Sequence, residues 1–144
     1  MEIFSLGAEN QSEHTLTNGA RVRLLRLSEL QINESISPSA TSFHEAAHAL
    51  AAILTGTGVA YLTINPEGNS AGHTLLNGFD AVAEAAPHAL GCSGTGHDCM
   101  QIELSGHSVS GAASAARSLL AGHERELLAI ATAIEEARTL SGER

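Results

Sequence analysis

Residues 37–58 of the chain read SPSATSFHEAAHALAAILTGTG. Serine is a favoured N-cap and proline is tolerated at the first helical position, so Ser37 and Pro38 predict the start of a helix. Apolar residues follow at positions 43, 47, 50 and 54, a spacing that predicts one buried helical stripe. Because glycine commonly ends helices, Gly56 marks the far end. The stretch therefore predicts a helix from about Pro38 to Leu54.

The predicted helix carries an H-E-x-x-H motif at residues 44–48. His44 and His48 are four residues apart, which places them on one side of the helix, where both imidazoles can bind one tetrahedral ion. Glu45 lies between them and can reach a water on the metal without ligating the metal. Composition alone gives about 0.04 chance matches to such a motif. The motif therefore predicts a Zn²⁺ site with Glu45 as the catalytic residue.

Length and charge limit the classes of protein and partner. A chain of 144 residues has room for about one domain, and a net charge of -9 without lysine argues against binding to nucleic acid or anionic membranes. The N-terminus shows no basic stretch followed by an apolar run, and no segment approaches about 18 uninterrupted apolar residues. We therefore expect neither a signal peptide nor a membrane segment, and a cytoplasmic location.

The rest of the chain predicts a small hairpin and several helices. Residues 59–65 are rich in β-formers, a turn-forming stretch follows, and residues 71–76 can form the returning strand, which predicts a β-hairpin. Residues 20–27 could form a strand or begin a helix. Helices are expected over residues 81–90, 97–104 and 112–140, the last with a break near Gly122. The expected fold is α+β and mostly α-helical: a zinc-binding H-E-x-x-H helix, a small β-hairpin and a C-terminal helical pair.

Three segments, in chain order, resemble the peptidase domain of the FtsH-type zinc metalloproteases. Residues 43–50 (FHEAAHAL) resemble the zinc helix of that family, H-E-A-G-H-A-L. Residues 62–68 (LTINPEG) with 72–74 (GHT) resemble its hairpin, V-T-I-x-P-R-G and G-x-T, and residues 129–142 resemble its closing helix. The resemblance covers about residues 38–142.

The resemblance also implies a domain division and a set of partners. It implies a zinc metallopeptidase-like domain over residues 37–144, with residues 1–36 as an N-terminal extension that packs on the domain or flanks it. Since we find no counterpart of the family's ATPase and membrane segments, only the peptidase activity is carried over. A homo-oligomer, or an ATPase partner acting in trans, stays open.

A third metal ligand is implied by the family's G-x-x-x-D pattern, which residues 94–98 match and which points to Asp98. Independently of the family, Asp98 is one of only two aspartates and follows a glycine-rich turn at the start of a predicted helix. Alternatively, Asp98 only caps that helix, and His107 supplies the third ligand from a Ser/Gly linker. A separate cluster of Cys92, His97 and Cys99 is a further alternative.

The expected function is that of a zinc metalloendopeptidase, a hydrolase that cleaves peptide bonds of unfolded or flexible polypeptides through a metal-activated water. In this prediction His44, His48 and Asp98 bind Zn²⁺, and Glu45 moves the proton. The main alternative is a non-catalytic, metal-stabilised binding or adaptor module on a protease-like scaffold. A hydrolase of non-peptidic amides would need a deep pocket.

The hairpin could have a role of its own. In zinc proteases an edge strand near the metal binds the substrate backbone as an added strand, and residues 59–65 or 70–76 could supply that edge. Equally, the hairpin could only cover the zinc helix. His73 on the hairpin could face the cleft and touch substrate, or it could be an exposed strand residue.

Overall fold

The computed structural model describes residues 13–15, 21–24, 31–66 and 71–141, the first two ranges for their backbone. This part of the chain forms a mixed fold in which most residues are helical. The helices are α1 (Ala40–Thr55), α2 (Ala81–Ala89), α3 (Gly96–Leu104), α4 (Val109–Leu120) and α5 (Glu124–Ala137). The strands are β1 (Glu13–Thr15), β2 (Arg21–Leu24), β3 (Val59–Thr63), β4 (His73–Leu76) and β5 (Thr139–Ser141).

Helix α1 is the predicted zinc helix, but it begins later than the sequence pattern indicated. Its N-cap is Ser39 and not Ser37, because the Ser39 hydroxyl accepts the backbone N–H of Ser42 at 3.2 Å. The Glu135 carboxylate of α5 accepts the Ser39 backbone N–H at 2.6 Å and the Ser42 hydroxyl at 2.8 Å. At the other end Gly56 adopts a left-handed conformation with φ of 89°, as expected for a helix stop. The start of α1 is thus fixed by α5.

Burial of α1 extends beyond the single stripe predicted from sequence. Eight of its residues have no exposed surface: one is Ser42, and the other seven are alanine or aliphatic, namely Ala46, Ala47, Ala49, Leu50, Ala51, Ala52 and Ile53. A helix that is apolar on most sides is a core helix, covered on most sides by other elements. Here α2, α5 and β3 pack against it. The motif histidines are therefore carried by the helix with the most buried residues in the described part of the chain.

The predicted hairpin is confirmed, and it belongs to a larger sheet than expected. Strands β3 and β4 pair antiparallel, and the described strands run in the order β1-β2-β5-β3-β4. Residues 21–24, whose structure the pattern left open, form strand β2, which pairs in parallel with β5. The turn residues 67–70 lie outside the described part of the chain. The order of strands leaves β4 at an edge of the described sheet.

The C-terminal helical pair is confirmed as α4 and α5, with a break at residues 121–123. The prediction that the last helix continues to Leu140 is wrong. Arg138 ends α5 in a left-handed conformation with φ of 68°, and its carbonyl accepts the backbone N–H of Ile64 at 2.9 Å. The following residues then pair with β3 as strand β5, which buries Leu140 completely. A buried leucine suits a helix and a strand equally, so its apolarity gave no warning.

The domain division and the lack of a membrane segment are two expectations that concern the chain as a whole. The division into an extension over residues 1–36 and a domain over residues 37–144 stays a prediction. In the part of the chain that the structure describes, no helix is long and apolar enough to span a membrane.

Candidate metal centre

The structure brings the three predicted ligands together. His44 and His48 lie one turn apart on α1, and Asp98 lies in the first turn of α3. The Oδ2 atom of Asp98 is 3.1 Å from His44 Nε2 and 3.2 Å from His48 Nε2. One ligand atom from each residue lies within 4.8 Å of the other two. His44 and His48, one turn apart on α1, and Asp98, 50 residues after His48 in the sequence, thus converge on one point.

Both imidazoles are oriented by backbone carbonyls. His48 Nδ1 is 2.8 Å from the carbonyl oxygen of Ala83 in α2, and His44 Nδ1 is 3.2 Å from that of Ser93, in the loop before α3. A carbonyl oxygen only accepts hydrogen bonds, so each ring carries a proton on Nδ1 and directs Nε2 towards Asp98. Partners of this kind fix the tautomer and orientation of metal-binding histidines.

The donor set fits a cation such as Zn²⁺. In a neutral ring with its proton on Nδ1, the Nε2 atom carries a lone pair. Two such Nε2 atoms and a carboxylate oxygen repel one another unless a positive charge lies between them. The pKa of His48 also indicates that a positive charge is favoured between these atoms. Burial lowers it, but the hydrogen bond and charge of Asp98 outweigh burial and raise it to about 9. Burial raises the pKa of Asp98, but hydrogen bonds to both histidines outweigh it and hold that pKa well below its ordinary range.

Asp98 is not a helix cap in this structure. The N-cap of α3 is Thr95, and no side chain caps that helix by a hydrogen bond. The Asp98 carboxylate lies instead against the two histidines, with a side-chain exposure of 14%. The alternative that Asp98 only caps α3 is therefore wrong. Its role as a ligand stays a prediction.

Glu45 lies beside the triad and is held by the hairpin. Its side chain is buried, and the Thr74 hydroxyl of β4 donates to Glu45 Oε1 at 2.6 Å. Gly72 lies directly against this contact, because a Cβ atom there would be 3.1 Å from Glu45 Cγ and 2.8 Å from Thr41 Cγ2. The resemblance had marked the GHT segment without a role for its residues. The structure supplies one: Thr74 fixes the glutamate, and Gly72 leaves room for it.

The competing candidates lie elsewhere. His107 contacts Phe79, with ring centroids 5.6 Å apart, and is not part of the cluster. Cys92, His97 and Cys99 do not converge, since the triad is the one group with metal-ligand spacing among the described residues. His73 is exposed on β4, where its ring lies 5.9 Å from that of Tyr61.

Comparison with known proteins supports a zinc metallopeptidase family. The family model described as Peptidase M50B-like matches residues 24–86, less than half of the chain. The matched range includes the H-E-x-x-H helix and both hairpin strands, and it ends before Asp98. No curated protein and no solved structure matches the chain. The match supports a metallopeptidase hydrolase, and it does not point to the FtsH type in particular.

Proposed function

We propose that the chain is a zinc endopeptidase that cleaves unfolded or flexible polypeptides. The observation that carries the proposal is the convergence of His44, His48 and Asp98 from two helices, with the buried carboxylate of Glu45 beside them. The resemblance of the motifs to the FtsH-type peptidase domain and the family match over residues 24–86 both support it.

In this proposal His44 Nε2, His48 Nε2 and the Asp98 carboxylate hold Zn²⁺. Zinc, when bound, lowers the pKa of water towards neutrality and polarises a carbonyl group. Thr74 donates to one oxygen of Glu45 and thereby leaves the other free to accept a proton from the attacking water. The hydroxide oxygen bonds to the peptide carbon, the C–N bond breaks, and Glu45 returns the proton to the leaving nitrogen.

The hairpin supports extended polypeptides as the substrate class. Strand β4 carries Thr74 and lies at an edge of the described sheet, so its free side can pair with an extended peptide backbone. Leu75 and Phe79, at and just beyond this edge, are about half exposed and can contact substrate side chains. Only an extended segment can add to a strand edge, and this favours unfolded polypeptides over folded proteins.

A small amide substrate would need a deep pocket at the triad. A cavity of about 250 Å³ is lined by residues such as Leu50, Leu120 and Leu127, and none of its lining residues belongs to the triad. This arrangement gives no support to a hydrolase of non-peptidic amides.

The test compares zinc-loaded wild type with Glu45→Gln on casein and on a set of unstructured fluorogenic peptides. Glutamine keeps the size of the side chain but cannot accept the proton, so we expect an activity loss of about 100-fold or more with zinc content unchanged. Metal analysis of both proteins is the matched control. If both zinc-loaded proteins are equally inert on all substrates, the chain is not a peptidase and the non-catalytic binding module takes its place.

A further inference from the structure

Helix α2 contains a proline at a position where proline is seldom tolerated. Pro87 is the seventh of the nine residues of α2, well past the first turn, where proline is accepted. Inside an α-helix each backbone N–H bonds to the carbonyl four residues earlier, and proline has no N–H. The carbonyl of α2 that loses its helical donor in this way is that of Ala83.

The carbonyl of Ala83 is also the one that orients His48. His48 Nδ1 lies 2.8 Å from the Ala83 carbonyl oxygen. Both residues are buried, since Ala83 has no exposed surface and His48 has 6%. A buried carbonyl without a donor is unfavourable, and so is a buried ring N–H without an acceptor. Pro87 removes the helical donor from this carbonyl, and the histidine of the neighbouring helix supplies another.

The other motif histidine finds its acceptor outside any helix. His44 Nδ1 is 3.2 Å from the carbonyl oxygen of Ser93, in the loop between α2 and α3. No helical N–H competes for a carbonyl in such a loop. His48 faces the middle of α2 instead, where a carbonyl ordinarily accepts an N–H of its own helix. A proline four residues after that carbonyl makes it available.

The start of α2 holds residue 83 at a fixed place beside α1. Asp80 is the N-cap of α2, and its Oδ1 atom accepts the backbone N–H of Ala83 at 3.1 Å. Its Oδ2 atom accepts the hydroxyls of Thr55, the last residue of α1, and Thr57 just beyond it. One carboxylate thus joins the two helices. The place of Ala83 relative to α1 is therefore fixed by contacts that do not involve the metal ligands.

We propose that Pro87 is a positioning residue of the metal centre. Because it withholds a helical N–H from the Ala83 carbonyl, that oxygen stays an acceptor for His48 Nδ1, and His48 Nε2 is directed to the metal. Acceptors of this kind raise the metal affinity of a histidine by fixing its tautomer and its orientation. The inference rests on the proposed function, since it assigns Pro87 to the zinc site of that proposal.

Two replacements that differ by a single N–H test this role. Pro87→Ala restores the backbone N–H. Lactic acid at position 87 is the α-hydroxy acid analogue of alanine and has the same methyl group, with an oxygen in place of the N–H. Zinc affinity is measured by competition with a chelating dye. We expect Pro87→Ala to weaken zinc binding about tenfold and lactic acid to restore it.

Pro38→Ala is the matched control for loss of a proline. Pro38 lies before the N-cap of α1, so no helical carbonyl depends on it, and zinc affinity should stay unchanged. Circular dichroism checks that each form keeps its helices. If Pro87→Ala loses them, valine and its hydroxy acid analogue replace the alanine pair, because the valine side chain fills more of the space of the ring.

Nuclear magnetic resonance of zinc-loaded protein with ¹⁵N-labelled histidine gives a second measurement. The Nδ1 proton of His48 should exchange with water faster in Pro87→Ala than in the lactic acid form, since a second donor weakens its hydrogen bond.

Equal zinc affinity in the wild type and Pro87→Ala overturns the inference and leaves the peptidase proposal intact. An equal loss in the alanine and lactic acid forms does the same, because packing of the ring would then be the whole effect. A wild-type chain that binds no zinc overturns the metal centre and the inference with it. Zinc affinity that depends on the N–H at position 87, without cleavage of any peptide, supports the inference and overturns the peptidase proposal.

Discussion

Replacement of Gly72 by alanine should destabilise the protein and displace Glu45. The new Cβ atom would lie 2.8 Å from Thr41 Cγ2, 3.0 Å from the carbonyl oxygen of Thr63 and 3.1 Å from Glu45 Cγ. The first distance is shorter than real Cβ contacts allow, and the carbonyl is backbone, so the backbone at residue 72 must move away from α1 and β3. Overpacking of this kind costs about 1–3 kcal/mol. For a chain of this length the midpoint of thermal unfolding should fall by about 3–10 °C.

Gly78→Ala is the matched control, because a Cβ atom there meets nothing within 4 Å and its backbone is not left-handed. Alanine at that position restricts the unfolded chain and should leave the midpoint unchanged or raise it slightly. Both variants would be followed by circular dichroism during heating, with peptidase activity measured in parallel. Activity of Gly72→Ala should fall at least about tenfold, because the displaced carboxylate loses its alignment. Equal midpoints for the two variants would refute the reasoning.

Three further predictions concern individual contacts. Asp98→Ala should weaken zinc binding by about two orders of magnitude or more while His107→Ala leaves it nearly unchanged, as measured by competition with a chelating dye; the reverse ranking would move the third ligand. Thr74→Val should lower kcat about tenfold at constant zinc content, and Thr74→Ser should restore it, because one hydroxyl holds the glutamate. Burial alone would raise the pKa of Asp80, but hydrogen bonds from two threonine hydroxyls and two helix N–H groups outweigh burial and lower that pKa. The ionised Asp80 therefore stabilises the fold above pH about 4, and this effect is lost as the pH falls further. Asp80→Asn should therefore cost about 1 kcal/mol in urea unfolding at pH 7 and progressively less as the pH falls below about 4.

The sequence predicted best the part of the metal centre whose residues are close together in the chain. His44, Glu45 and His48 lie within one helical turn, so their geometry follows from helix periodicity once a helix is expected. Asp98 is 50 residues from His48, and no local rule joins them. It was identified from a family pattern and from the glycine-rich turn before it. The structure gives the physical link, because the Asp98 Oδ2 atom lies 3.1 Å from His44 Nε2 and 3.2 Å from His48 Nε2.

Other features left little or no trace in the sequence. The imidazoles are oriented by the carbonyls of Ala83 and Ser93, and a carbonyl is present at every residue, so no residue type marks these positions. Strand β5 was mistaken for helix because Arg138 adopts a left-handed conformation that non-glycine residues seldom take. Leu140 is then buried by strand pairing, which depends on residues far away in the chain.

The most direct test of the central claim is an anomalous difference map, recorded at the zinc absorption edge from crystals grown with zinc. The account predicts one strong peak within about 2.0–2.2 Å of His44 Nε2, His48 Nε2 and a carboxylate oxygen of Asp98. Such a peak should be present in Glu45→Gln as well, since that carboxylate is not a ligand. No peak at the triad, or a peak between Cys92 and Cys99 instead, would contradict the account.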